Sequence, residues 1–145
     1  KMLHLPDGLS QDSLHMLMTC EPQIKEIGDL ISRTDVLLFG IGTAMRMADQ
    51  RHIADDVRKQ LVDNHAVGEA LGQYCDIEGK LIYSTNNIGL SLPDVVKVPN
   101  VIAVAGGQEK ASAIIGVMRA CQKGILIIDE QAAEGMRQLL QISAL

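Results

Sequence analysis

The chain has 145 residues, 47% of them hydrophobic, enough to build the core of one domain. A formal net charge of -5, with two tyrosines, one phenylalanine and no tryptophan, lacks the basic, aromatic-bearing surface that nucleic-acid binding requires. No apolar run approaches the ~20 residues of a bilayer span and no signal-peptide pattern opens the chain, so the composition excludes a spanning helix and fits a cytoplasmic globular protein.

Met2 to Leu5 reads as an opening strand stopped by the turn sequence Pro6-Asp7-Gly8. A short helix is predicted from Ser10 or Asp12 through Met18. A second starts at Pro22, which suits the first helical position, and ends near Arg33. Val36 to Phe39 is an apolar strand closed by Gly40-Ile41-Gly42-Thr43, with Thr43 placed to cap a helix over Ala44 to Gln50. Ile53 to Val62 reads as an amphipathic helix with a charged, solvated face. Ala66 to Cys75 and Lys80 to Ser84 read as the arms of a β-hairpin around Asp76-Ile77-Glu78-Gly79. Glu69 falls on its first arm, as either an exposed strand residue or a buried acceptor for ligand hydroxyls. Ile88 to Val98, with Pro93, is irregular.

Asn100 to Arg119 is the organising stretch. Val101 to Ala105 is the continuous apolar run of a strand covered on both faces, Gly106-Gly107 ends it, and Ala111, Ile114, Ile115 and Met118 form one helical stripe. Two glycines leave room for backbone N–H groups to converge on an anion at a helix start, and Lys110 in the first turn would be its countercharge. An ordinary turn between a strand and a helix has the same glycines. Ile125 to Ile128 is the last strand, and Asp129 caps a final helix, Glu130 to Ile142. The β-to-α alternation predicts an α/β fold: a mostly parallel sheet with helices on both faces and an antiparallel hairpin insert. Both glycine turns then lie at carboxyl ends of strands, where ligands gather in such sheets.

Cys20, Cys75 and Cys121 stand apart without a C-x-x-C, which predicts small buried hydrophobes rather than a disulfide framework or a zinc site. His4, His15, His52 and His65 are scattered and form no metal-binding pair, and no serine sits in a nucleophile elbow. No catalytic set, metal or cofactor is implied.

Three segments, Leu38-Phe39-Gly40-Ile41-Gly42, Asp63 to Gly72 and Pro99 to Ala111, resemble in order and spacing the sugar-binding domain of SorC-type bacterial transcriptional regulators. The resemblance implies a Rossmann-like effector domain related to phosphosugar isomerases and glucosamine-phosphate deaminases. It implies that residues 1–145 are the C-terminal part of that domain, its first half and an N-terminal helix-turn-helix lying outside this chain. A first residue of Lys1 leading straight into apolar residues fits an excised piece. Operator DNA would be met only through the missing region. The implied ligand is a phosphorylated sugar such as fructose 1,6-bisphosphate, sensed by a repressor of central glycolytic genes. Lys110 corresponds to the lysine that pairs with a sugar phosphate and Glu69 to the carboxylate that takes sugar hydroxyls. Gly40, Ile41, Gly42, Gly106 and Gly107 complete the implied ligand-binding set. Gln50 occupies the place of a basic ligand contact and Arg51 follows it, so the implied bisphosphate preference carries over only where Arg51 substitutes for that contact. The rival is a phosphosugar isomerase or deaminase-like enzyme on the same fold, but Glu69 has no evident acid or base partner. An apolar sheet edge left by a missing half-domain would template pairing, so a homo-oligomer is expected.

Overall fold

In the computed structural model, which describes Leu5 and residues 9–141, Ser10 begins the first helix. Its hydroxyl accepts from the Ser13 amide at 3.1 Å, a side-chain cap for α1 (Gln11–Cys20), and α2 (Pro22–Ser32) follows with proline in its first turn. The opening strand predicted from Met2 falls on residues outside those described, apart from Leu5, which is in no strand.

Three strands form a parallel sheet in the order β1 (Val36–Gly40), β6 (Asn100–Ala105), β7 (Ile125–Ile128). Val36 pairs with Asn100 and Gly40 with Val104, while Ile102 pairs with Ile125 and Ala105 with Ile128. The strand period of two sends Leu37, Phe39, Val101, Ala103, Ala105, Leu126 and Ile128 into one core. There they meet α5 (Ala111–Cys121), the 3-10 helix Leu92–Lys97 and Ala132 and Met136 of α6 (Glu130–Leu139). Cys75 and Cys121 belong to this core, and burial pushes their thiols up to about 12 and about 11. Cys20, expected among the buried cysteines, is exposed at the end of α1.

The other sheet is antiparallel, in the order β2 (Gly42–Thr43), β3 (Gly68–Ala70), β4 (Gln73–Cys75), β5 (Leu81–Ser84). Leu71 and Gly72 join β3 to β4 with φ of 55° and 78°, the two positive angles of a type I′ turn. Asp76 shapes the next turn by accepting from the Glu78 and Lys80 amides at 3.0 and 2.9 Å. A smaller core of Ala44, Ala48, Leu61 and Tyr74 lies between this sheet and α3 (Ala44–Gln50) with α4 (Asp55–Asp63). Gly68 lets α5 close on β3, since a Cβ there would stand 2.8 Å from the Ala113 carbonyl oxygen.

The α/β class is the one the alternation predicts, with helices around the sheets. Two details differ. The hairpin insert is a separate four-stranded sheet, because its first arm folds back at Leu71-Gly72 and pairs with Gly42-Thr43. The continuously apolar β6 is covered on one face only: Val36, Leu38, Val104, Ile125 and Ile127 on the opposite face of the parallel sheet are 41–66% exposed.

Candidate functional site

β1 ends at Gly40, and the chain leaves the parallel sheet through Ile41, which is buried and donates its amide to the Val104 carbonyl at 3.2 Å. It enters the antiparallel sheet at Gly42, directly opposite Glu69, and turns into α3. Thr43 stands at the cap position of α3, but its hydroxyl makes no capping bond. After β6, Gly107 at φ 94° leads into the 3-10 turn Gln108–Lys110, so Lys110 precedes α5 at its cap position instead of standing in its first turn. The carboxyl ends of β1 and β6 thereby meet the start of the second sheet around a cavity of about 520 Å³.

Gly40, Ile41, Gly42, Arg51, Glu69 and Lys110 line that cavity together with Arg46, Met47, Gln50 and Leu71. Glu69 is only 3% exposed. Its Oε1 accepts from Arg51 Nη2 at 3.2 Å and from the Gly72 amide at 2.7 Å, which is how the Leu71-Gly72 turn holds the carboxylate in place. The remaining oxygen, Oε2, has no hydrogen bond among the described residues and lies 3.9 Å from where a Cβ on Gly42 would stand. It is an acceptor left for a hydroxyl. Tyr74, opposite Glu69 on β4, is fully buried, and burial together with the Glu69 charge pushes its phenol up to about 12. Arg51 Nε and the Tyr74 hydroxyl are buried without a partner among the described residues. Lys110 and Arg46 make no ion pair among the described residues. The wall can therefore offer a hydroxyl acceptor together with two cations, Arg46 and Lys110, that have no ion pair among the described residues.

Gly106 and Gly107 lie beside this wall and are not part of it. The Gly107 amide is taken by Asp129, at 3.1 Å to Oδ1 and 2.9 Å to Oδ2, and Oδ1 also accepts from the Ala132 amide at 2.8 Å to cap α6. Those two amide contacts, Ala132 first, hold the Asp129 carboxyl below its ordinary value. The sequence assigned Asp129 its cap on α6, and its hold on Gly107 came only with the packing of β6 beside β7. Arg46 and Met47 were also missed. The available signal was helical spacing, because Arg46 precedes Gln50 of α3, and Met47 precedes the C-cap residue Arg51, by one turn. Among the described residues no group of three or more His, Cys, Asp or Glu side chains could hold a metal ion.

Residues 1–138 match the Sugar-bind family of sugar-binding domains. The chain is 38% identical over 134 residues to the central glycolytic genes regulator of Priestia megaterium and 35% identical over 134 residues to that of Bacillus subtilis, each match taking in 92% of this chain. It spans 39% of the length of either relative. Its fold matches the crystal structure of an Enterococcus faecalis protein assigned to the SorC family of transcriptional regulators, with a TM-score of 0.85 and 38% identity over 94% of this chain and 55% of that one. The full-length sorbitol operon regulator SorC of Klebsiella pneumoniae shares the fold alone, at a TM-score of 0.77 and 21% identity, over 94% of this chain and 44% of that one. These relatives are transcriptional regulators and not enzymes.

Proposed function

The chain belongs to the Sugar-bind family, the sugar-binding domain of SorC-type transcriptional regulators, and on that premise we propose that it forms the C-terminal part of an effector site for a phosphorylated sugar. The observation that carries the reading is the cavity where the two sheets meet, lined together by a buried Glu69, Lys110, Gly40, Ile41 and Gly42. Glu69 takes sugar hydroxyls and Lys110 takes the phosphate. Arg51 fixes Glu69. Gly106 and Gly107 contribute by aiming Lys110 at the cavity, and their amides join in binding if a phosphate displaces Asp129 from Gly107.

The effector of this reading is fructose 1,6-bisphosphate or a related glycolytic phosphate, and the whole protein is a cytoplasmic, homo-oligomeric repressor of central glycolytic genes. Its operator contacts belong to a helix-turn-helix outside this chain, in keeping with the fraction of its relatives that the chain spans. Sugar binding changes no bond in this scheme. Its free energy shifts the DNA-binding equilibrium only so far as the two states of the regulator bind the sugar differently.

Calorimetric titration of the full-length protein with fructose 1,6-bisphosphate tests the site. Lys110→Ala is expected to weaken binding roughly ten- to a hundredfold, the ~1.5–3 kcal/mol of a charge-assisted hydrogen bond, while operator affinity without sugar stays unchanged. Lys110→Arg should restore only part of it, because a planar fork does not replace a compact ammonium. Unchanged affinity in Lys110→Ala removes Lys110 from the site.

A further inference from the structure

We propose that Arg46 is the second anion contact of this cavity, the residue that makes it prefer a ligand with two anionic groups over a ligand with one. The inference rests on the sugar-phosphate reading above and assigns a specificity residue within the same site.

Helix α3 turns Ala44 and Ala48 into the smaller core, each 1% exposed. The flank of the helix beside them carries Arg46, Met47 and Gln50, Arg51 follows at the C-terminal cap, and all four line the cavity, Met47 also packing against the smaller core. Two guanidinium groups thus stand on one wall, and their surroundings separate their roles. Arg51 is committed: Nη2 holds Glu69 at 3.2 Å and Nε is buried. Turning it toward a ligand would strand a nearly buried carboxylate without its countercharge. Arg46 carries no such obligation. It is exposed and has no ion pair or hydrogen-bond partner among the described residues.

The charges of the wall point the same way. Arg46, Arg51 and Lys110 face a single carboxylate, Glu69. Arg51 and Glu69 compensate one another, which leaves Arg46 and Lys110 as two cations without a partner among the described residues. A ligand with one anionic group answers one of them, and a ligand with two answers both. The planar fork of Arg46 suits a phosphate, with paired N–H donors for two of its oxygens. Gln50, one turn further along the same face, offers hydrogen bonds but no charge.

The test is calorimetry on the full-length protein with fructose 1,6-bisphosphate, fructose 1-phosphate and fructose 6-phosphate as probes. Arg46→Gln is expected to weaken the bisphosphate about ten- to a hundredfold and to leave at least one singly phosphorylated sugar within about twofold of wild type. Arg46→Lys keeps the charge and should retain part of the preference. Arg51→Gln, by releasing Glu69, should weaken all three sugars together and lower the melting temperature. A wild type with no preference for the bisphosphate, or an Arg46→Gln variant that keeps that preference within about twofold, overturns the proposal and leaves the sugar site standing. If wild type binds none of the three probes, the underlying reading fails and the assignment of Arg46 fails with it.

Discussion

Glu69 is a carboxylate held almost out of water by a guanidinium and one backbone amide, so its surroundings must supply what the solvent no longer does. Removing its cation should therefore cost more than removing the carboxylate's own charge. Arg51→Met is expected to destabilise the protein by about 2–4 kcal/mol, short of the ~3–5 of a fully buried pair because Arg51 is partly open to water. Glu69→Gln should cost less, since an amide oxygen still accepts from Gly72. Urea unfolding of the two variants checks the order. Asp129 gives a pH signature. Its carboxyl is depressed in the fold, so the stability it contributes is present above the ordinary carboxylate range and is lost as the pH falls through the lower, folded value. Asparagine caps helices as well as aspartate does, so Asp129→Asn removes the titration and keeps the cap. Melting temperatures measured from neutral pH to about pH 3 should fall less steeply for Asp129→Asn than for wild type, and parallel curves would refute the assignment.

Among the elements, the contact of α5 with β3 leaves no room for added volume at Gly68. An alanine at position 68 would drive its Cβ to 2.8 Å from the Ala113 carbonyl oxygen and 3.1 Å from Val117 Cγ2, and neither backbone nor packed valine can yield cheaply. Gly68→Ala is expected to destabilise by about 1–3 kcal/mol, read as a lowered urea midpoint at unchanged slope. Elements of this kind differ in how far the sequence announces them. The helices over Pro22–Ser32, Ala44–Gln50 and Ala111–Cys121 were legible because apolar spacing and a proline or glycine boundary agreed. The strands Val36–Gly40 and Ile125–Ile128 were legible as apolar runs. The two-residue strand Gly42–Thr43 was not, since its pairing depends on a partner 25 residues away in the register Thr43 to Gly68. Nor was the reversal at Leu71, a leucine at φ 55°, where turn chemistry favours asparagine or glycine. Of the site, Glu69 and Lys110 were visible as charged residues inside family motifs, whereas Arg46 needed the helix face and the neighbouring sheet to be seen together.

For the molecule as a whole, the open face of the parallel sheet sets its behaviour in solution. Val36, Leu38, Val104, Ile125 and Ile127 present adjoining apolar side chains from three neighbouring strands, the kind of surface that soluble proteins cover. The 145-residue chain on its own is expected to self-associate, and Leu38→Lys together with Ile127→Lys should return it to monomers, as sedimentation velocity at high concentration would show. A clean monomer before substitution would count against it. The passage through Ile41 has a mechanical consequence. Because the chain changes sheets there and the cavity touches both, an occupant adds a tie between two layers that already share core contacts through Ala70 and Cys75. Binding should then slow amide hydrogen exchange in β1 and in β3 at once, with the amides flanking Ile41 slowed most, so that the crossing behaves as a hinge stiffened by the sugar it holds.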